Sequence, residues 1–517
     1  MTTVRSSAPL TRPRIAQLPV SHGLPVLVGA VIAAAYLLAP PMGADLSAQI
    51  AWADFAESHW PALLDLRWYG GINPLGYSLL TPPVMALLGV RLVTAVGYLA
   101  GVVLVAALLQ RTHARRPVTG GVVAAICLTG NLASSRTTFI LGLAVAVAAV
   151  LALACGRPRL SVLLALLTPL TSPVAGVFLA LAGVALVLSG RRRAGAWLTL
   201  SAFGPTILMG LLFGNGGTMP FAPTQAALTV LASLIVAVAC RGVRVVFWGA
   251  ILSAAMVAVA YLIPNPLGSN AARLTELLGP AALVAVSLLS TRIVALLTVL
   301  VVGLQPMFYV DEVRDRGDPA LDPAFYAPLI QQLEERGITA AVEVVPMRRH
   351  GESAFVAPVA PLARGWLRQV DVGRNPLFYD GSLDPANYRW WLDDNAVSWV
   401  ALARGDHDWA AGQEAALIRG GLSYLRPVWA DQTWTLYRVE DPLPVVSLPG
   451  RQVSRDTTSL TVELPAAGEY DLRVRWSRWL SASSGCLEPG LGGWTRIVVA
   501  EPATVRLASG LVPERCS

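Results

Sequence analysis

The chain has 517 residues, 55% of them hydrophobic and 14% charged, and a formal net charge of +7. Soluble domains carry about 25% charged residues, so a single soluble enzyme, a disordered chain and a fibrous repeat are excluded. The cations are all arginine, and in so apolar a chain their placement speaks to membrane orientation rather than to a nucleic-acid partner, which is not expected.

Residues 1–23 read as a cytoplasmic tail carrying Arg5, Arg12 and Arg14. From 24 to 306 the chain is almost continuously apolar, the composition of a polytopic α-helical membrane domain. The first apolar run, 24–40, reads as an uncleaved helix. A signal peptide is the alternative, since Gly43-Ala44 resembles a small-residue cleavage site.

The large loop 41–83 is the most unusual stretch. It holds Asp45, Asp54, Glu57, His59 and Asp65 among Trp52, Trp60, Trp68 and Tyr69. Asp45, Gln49 and Trp52 fall at i, i+4 and i+7, so one helical face would carry all three. Asp45 stands just beyond the first helix, where it suits a catalytic carboxylate and also an N-terminal cap. Asp54 is the second catalytic candidate. Gln49, Trp68 and Tyr69 are candidate substrate contacts, although aromatic rings at a membrane edge also form an interfacial belt.

Further helices are predicted over 90–110, 118–132, 137–155, 196–213, 224–240, 245–263, 277–291 and 293–306. The segment 160–189 is broken by Thr168-Pro169-Leu170-Thr171-Ser172-Pro173 and reads as two helices of about 14 residues, each near 20 Å. Helices that short persist only inside protein or beside an aqueous cavity. The total is about eleven crossings. Arginine clusters at 111–116, 157–159, 191–193, 241–244 and 292 mark one side, which places the N-terminus inside and the C-terminal part outside. Arg136 and Arg273 break that pattern by lying at outer turns. A guanidinium there suits a phosphate, which it binds in bidentate fashion. Asn270 and Glu276 flank Arg273 and join the candidate substrate contacts. An Arg273–Glu276 pair of structural value only is the alternative.

Residues 307–440 read as an extracytoplasmic α/β domain and 441–517 as a β-sandwich-like domain. Cys486 and Cys516 are the only two cysteines of this outer part and are expected to form a disulfide. No CxxC spacing, P-loop, GxGxxG, GxSxG or HExxH occurs.

In the order of its parts the chain resembles the C-type glycosyltransferases (the GT-C superfamily), in particular actinobacterial members. The resemblance lies in a first helix, a long outer loop with an acidic residue just past the membrane, short helices, and an outer soluble domain. It implies an integral enzyme of the cell (plasma) membrane. Such an enzyme moves a sugar from a polyprenyl-phosphate donor to a cell-wall glycan or glycolipid acceptor, inverting at the anomeric carbon. The loop's acidic residue, here Asp45, would be the base. The adjacent acidic pair that many members carry in this loop is missing here, so a divalent cofactor such as Mg or Mn stays open. A transporter or flippase, and a non-catalytic cell-envelope assembly protein, are the competing readings.

Overall fold

The computed structural model describes residues 23–305, 308–511 and 515–516. The tail expected at 1–23 therefore lies, but for Gly23, outside the described residues. The apolar part begins with α1 (Gly23–Leu38). Two loop helices follow, α2 (Leu46–His59) and α3 (Thr81–Leu88). Gly89, at φ +83°, separates α3 from α4 (Val90–Arg111) in a conformation that a side chain would strain. Then come α5 (Pro117–Ala133), α6 (Thr137–Ala154), α7 (Pro158–Thr171) and α8 (Pro173–Leu188). The series ends with α9 (Arg192–Phe213), α10 (Pro223–Ala239), α11 (Arg244–Leu262), α12 (Arg273–Val286) and α13 (Thr291–Gly303).

Four of these, α4, α6, α9 and α11, are long and apolar enough to cross a membrane, and α1, α5, α7, α8, α10 and α13 are shorter apolar helices. Leucine, valine and isoleucine side chains stand exposed along the bundle, among them Leu200, Leu211, Val238, Leu262, Leu296 and Val299. A surface of that kind is at home in lipid, not water. The break in 160–189 falls at Ser172, in extended conformation between α7 and α8. The helix expected over 277–291 instead starts at Arg273, because a 3-10 turn, Gly268–Ala272, feeds straight into it. It stops at Val286, where Ser287 turns extended.

The loop 41–83 is a folded plug. Arg67 ties it internally, with Nη1 2.7 Å from Asp54 Oδ2 and Nη2 3.0 Å from the buried Asp65. Leu64 and Leu66 enter the core of the last domain, while Trp52, Trp68 and Tyr69 enter the core of the preceding one. The loop thus joins both C-terminal cores to the helices.

The C-terminal part opens with α14 (Phe308–Arg314) and α15 (Pro323–Glu335). Its sheet has the order β1 (Ala341–Val344), β2 (Val397–Ala403), β4 (Trp434–Val439), β3 (Leu425–Ala430); β1 and β2 are parallel and the other pairs antiparallel. Helices α16 (Glu352–Phe355), α17 (Arg368–Arg374), α18 (Pro385–Asp394) and α19 (Gly412–Arg419) complete it.

Two sheets follow. One runs β5 (Arg451–Arg455), β6 (Ser459–Leu464), β11 (Ala503–Ser509), β8 (Leu480–Ala482). The other runs β7 (Gly468–Arg475), β10 (Trp494–Val499), β9 (Cys486–Pro489). Alternating residues of both, such as Val462, Leu464, Leu472 and Ile497, share one core. Cys486 and Cys516 are disulfide-bonded, with Cα atoms 4.9 Å apart.

Candidate active site at the seam between helices and outer domain

The start of α2 is fixed from two sides. Gly43 lies so close to the α5–α6 turn that a Cβ on it would meet Ser135 Oγ at 2.7 Å. The Asp45 N–H donates to the Ser134 carbonyl at 3.1 Å. From the C-terminal domain, the Trp366 indole N–H donates to the Ala44 carbonyl at 2.7 Å. Asp45 occupies the N-cap position of α2, yet its side chain makes no capping bond. The carboxylate instead lies 3.4 Å from Arg136 Nε and lines a cavity.

That cavity has a volume of about 260 Å³. Asp45, Tyr77 and Phe139 form one wall, and Ser172 and Pro173 from the α7–α8 break form another. Asn270 comes from the turn before α12 and Arg273 from its first position, and Trp366 to Gln369 of the C-terminal part form the roof. The short helices thus end beside the cavity. Gln49 stands behind the wall: its Nε2 donates to Tyr77 Oη at 2.7 Å and its Oε1 accepts from Thr138 at 2.8 Å. Burial, and then the Asp45 charge, push the Tyr77 phenol up to about 12, so it stays protonated.

Arg273 lies with its Cζ 5.2 Å from the Phe139 ring centre. Among the described residues no carboxylate comes within 4.0 Å of its guanidinium, so the structural Arg273–Glu276 pair is not made. Glu276 sits one turn further along α12, outside the cavity lining, with one carboxylate oxygen buried and without a hydrogen-bond partner. Arg136 has its Nε similarly buried and without a hydrogen bond, facing Asp45.

The structure brings together Asp45, Arg136, Asn270 and Arg273, with Gln49 in support. Besides Glu276, three further expected site residues lie outside the cavity lining. Asp54 pairs with Arg67 and its side chain is half exposed, away from the lining. Trp68 and Tyr69 are fully buried, donating to the Ser353 and Gly365 carbonyls at 3.2 and 2.6 Å. They contact the outer domain where a substrate contact was expected, because the loop folds back as a plug and its aromatics supply the plug's core.

Of the roof, the sequence marks only Trp366, as one of several tryptophans able to stack on a sugar or to fill a core; Leu367 to Gln369 were missed. Trp366 is held between the His350 ring, stacked at 3.6 Å, and the Arg368 guanidinium at 4.8 Å. Arg368 in turn is bidentate to Asp408, at 2.9 and 2.7 Å. No motif marks these residues, which lie some 300 positions from Asp45; a cluster of Arg and Trp in the outer domain was the only signal.

Among the described residues no three His, Cys, Asp or Glu side chains converge as a metal cage requires. Asp45 is the one carboxylate lining the cavity. A divalent ion there would have to take most of its oxygen ligands from a bound phosphate and from water.

No protein-family profile matches the chain, and no curated protein matches it. Among solved structures, the arabinofuranosyltransferase AftD from Mycobacteria superposes with a TM-score of 0.45 at 16% identity, over 86% of this chain and 41% of that one. A mutant form of the same enzyme gives 0.44 at 16% identity, over 86% and 43%. This chain therefore spans about two fifths of the length of the structures it is similar to.

Proposed function

We propose that the protein is a multi-pass membrane glycosyltransferase of the C type. It would transfer a sugar from a polyprenyl-phosphate donor to a cell-envelope acceptor on the outer face, with inversion. The observation that carries this reading is one cavity, at the junction of apolar helices and outer domain, lined by an uncapped carboxylate, Asp45, and a guanidinium without a carboxylate partner, Arg273. Bases and phosphate ligands in such pairs are what transfer from a lipid phosphate requires.

In the proposed step, Asp45 takes the proton of the acceptor hydroxyl as that oxygen attacks the anomeric carbon. The bond from that carbon to the phosphate oxygen breaks, and its electron pair leaves with the polyprenyl phosphate. Arg273 faces the charge that develops on this leaving group. Arg136 orients Asp45, and Asn270 and the Trp366–Gln369 roof contact the sugars. The eleven crossings, with the N-terminus inside and residues 307–517 outside, belong to this reading, since they put Asp45 on the donor's outer face. A divalent ion, where one is used, would neutralise phosphate charge beside Arg273.

Purified protein in lipid nanodiscs, given a labelled polyprenyl-phosphate sugar and a cell-wall glycan fraction with and without divalent metal, tests the proposal. Transfer that depends on Asp45 supports it. Movement of intact donor across vesicles without transfer favours the flippase reading, and acceptor binding with no turnover favours an assembly protein.

A further inference from the structure

A second cavity, of about 110 Å³, lies against another part of the loop plug. Its lining comes from the loop (Asn73), the segment just after α9 (Asn215), the end of α17 (Arg374), the end of β7 (Arg475) and the residues after it (Ser477). The place is tightly built. Asn215 Oδ1 accepts from the Asn73 N–H at 2.7 Å, and its Nδ2 donates back to the Asn73 carbonyl at 2.9 Å. Ser477 reaches Asn73 Oδ1 at 3.1 Å, and the Trp479 indole N–H donates to the Leu212 carbonyl at 2.7 Å. The β-sandwich is thereby seated on the end of an apolar helix, and the cavity opens in that seam.

Two guanidiniums meet there without a carboxylate between them. Arg374 Nη1 donates to the Gly71 and Tyr69 carbonyls, at 2.8 and 3.2 Å. Arg475 lies flat on Trp494, 3.5 Å from its ring centre, and donates to the Gly492 carbonyl at 2.7 Å; its Nε is buried with no hydrogen-bond partner. A neighbouring carboxylate, Asp394, is engaged by the Trp494 indole N–H at 3.1 Å and lies 3.9 Å from Arg473. Burial pushes Arg374 down to about 10, and burial together with the charge of Arg374 pushes Arg475 down to about 9. Two like charges held together out of water are costly unless an opposite charge joins them.

The geometry points to an oxyanion-binding site, separate from the Asp45 cavity, in which Arg374 and Arg475 clasp a phosphate-type group while the side-chain amide N–H groups of Asn73 and Asn215 complete its hydrogen bonds. At about 110 Å³ the cavity is well below the ~300–1,000 Å³ of pockets that enclose a whole ligand, so it takes a terminal charged group. Planar guanidiniums bind such a group through paired N–H donors, which an ammonium cannot copy. Its position at the seam between sandwich and apolar helices admits two sources of the same chemistry, a phospholipid headgroup or a free phosphate. Either would lock the sandwich onto the helices.

The test is titration of the detergent-purified full chain with inorganic phosphate, read by tryptophan fluorescence, since Trp476 lines the cavity and Trp494 stacks on Arg475. A parallel arm compares melting in nanodiscs of phosphatidylcholine with nanodiscs containing phosphatidylglycerol. Saturable phosphate binding that weakens at least tenfold in Arg374→Gln and in Arg475→Gln, and is not restored by Arg475→Lys, supports the site with free phosphate as its ligand. Stabilisation by phosphatidylglycerol alone, lost in the same variants, supports it with a headgroup as the ligand. Ser477→Asp guards against misfolded variants: a carboxylate placed in the cavity should raise the melting temperature and abolish both anion effects. Anion responses that are unchanged in all these variants, or absent from the wild type, overturn the proposal.

Discussion

The indole N–H of Trp366 reaches across the molecule to the carbonyl of Ala44, 2.7 Å away and one residue before Asp45. The C-terminal domain therefore sets the position of the loop carboxylate directly. Trp366→Phe keeps a ring between His350 and Arg368 but loses that bond. Its cost in stability should be about 1 kcal/mol, the net worth of one neutral hydrogen bond. Its cost in turnover should be larger, about ten- to a hundredfold in kcat, because small displacements of a reacting group are expensive. Thermal melts and steady-state transfer on the same preparation separate the two effects.

His350 should make the roof pH-sensitive. The ring lies between Glu352 at 3.2 Å and Asp408 at 3.3 Å. Burial opposes its charge, but hydrogen bonds and charges from Asp408 and Glu352 prevail and raise its pKa above the usual 6.5. A group raised on folding stabilises the protein fully below its unfolded pKa, and that contribution disappears as pH rises through the folded value. Melting temperature should accordingly fall as pH climbs from about 6.5 upward, and His350→Gln should flatten this slope. A wild-type melting temperature constant over that range would refute the assignment of charge to His350.

The disulfide closes 30 residues of the sandwich, from Cys486 to Cys516. In the chain-entropy view a loop of that length contributes about 3–4 kcal/mol. Cys486→Ser with Cys516→Ser should lower the melting temperature of the outer domain by several degrees, and a non-reduced digest of the wild type should yield the two peptides joined. Two free thiols in protein taken from cells would contradict both the bridge and an oxidising location for this domain.

Arginine placement predicts that the 191–193 turn and the outer domain lie on opposite sides of the membrane. The obvious glycine probes are unsuitable. A Cβ on Gly195 would sit 2.5 Å from the Gly183 carbonyl oxygen, and Gly317 has φ +74°. Arg192→Cys and Glu334→Cys are exposed and free of such contacts. In a background lacking the exposed Cys155, an impermeant maleimide should label intact cells at 334 and spare 192. Labelling of both, or of neither, would remove the inside-out assignment.

Hydrophobic runs and their breakers marked much of the helical part. The helices expected over 90–110, 118–132 and 137–155 run over Val90–Arg111, Pro117–Ala133 and Thr137–Ala154. The break at Ser172 was visible because two prolines flank it within five residues. The start of α12 was misjudged because Asn270 and Arg273 are polar, and polarity was taken as loop where the backbone already turns. In the loop, period alone put Asp45 and Gln49 on one helical face, and they do lie on α2 or at its start. It could not tell that Trp68 and Tyr69 face protein and not a cavity. That depends on Ser353 and Gly365, nearly 300 residues away, and no local pattern encodes such a partner. Arg368 escaped notice for the same reason.

The decisive variant is Asp45→Asn. Asp45 caps nothing through its side chain, so asparagine forfeits no helix-capping bond there. What it loses is the contact with Arg136 at 3.4 Å, between side chains 25% and 19% exposed, and partly solvated pairs of this kind are worth at most about 1 kcal/mol. Fold and melting temperature should stay close to wild type. The amide has no lone pair basic enough to take the acceptor's proton, so kcat should fall about 10²- to 10⁴-fold, the usual contribution of a general base. Donor binding should survive, because Arg273 is untouched. Arg273→Ala should show the opposite pattern, weakened donor binding that Arg273→Lys does not fully restore. Asp54→Asn loosens Arg67 and should cost stability more than turnover. Full activity in a folded Asp45→Asn enzyme, with Asp54→Asn folded and inactive, would move the base to Asp54. Full activity in both would remove the carboxylate from the mechanism and leave Asp45 as the partner that holds Arg136 in place.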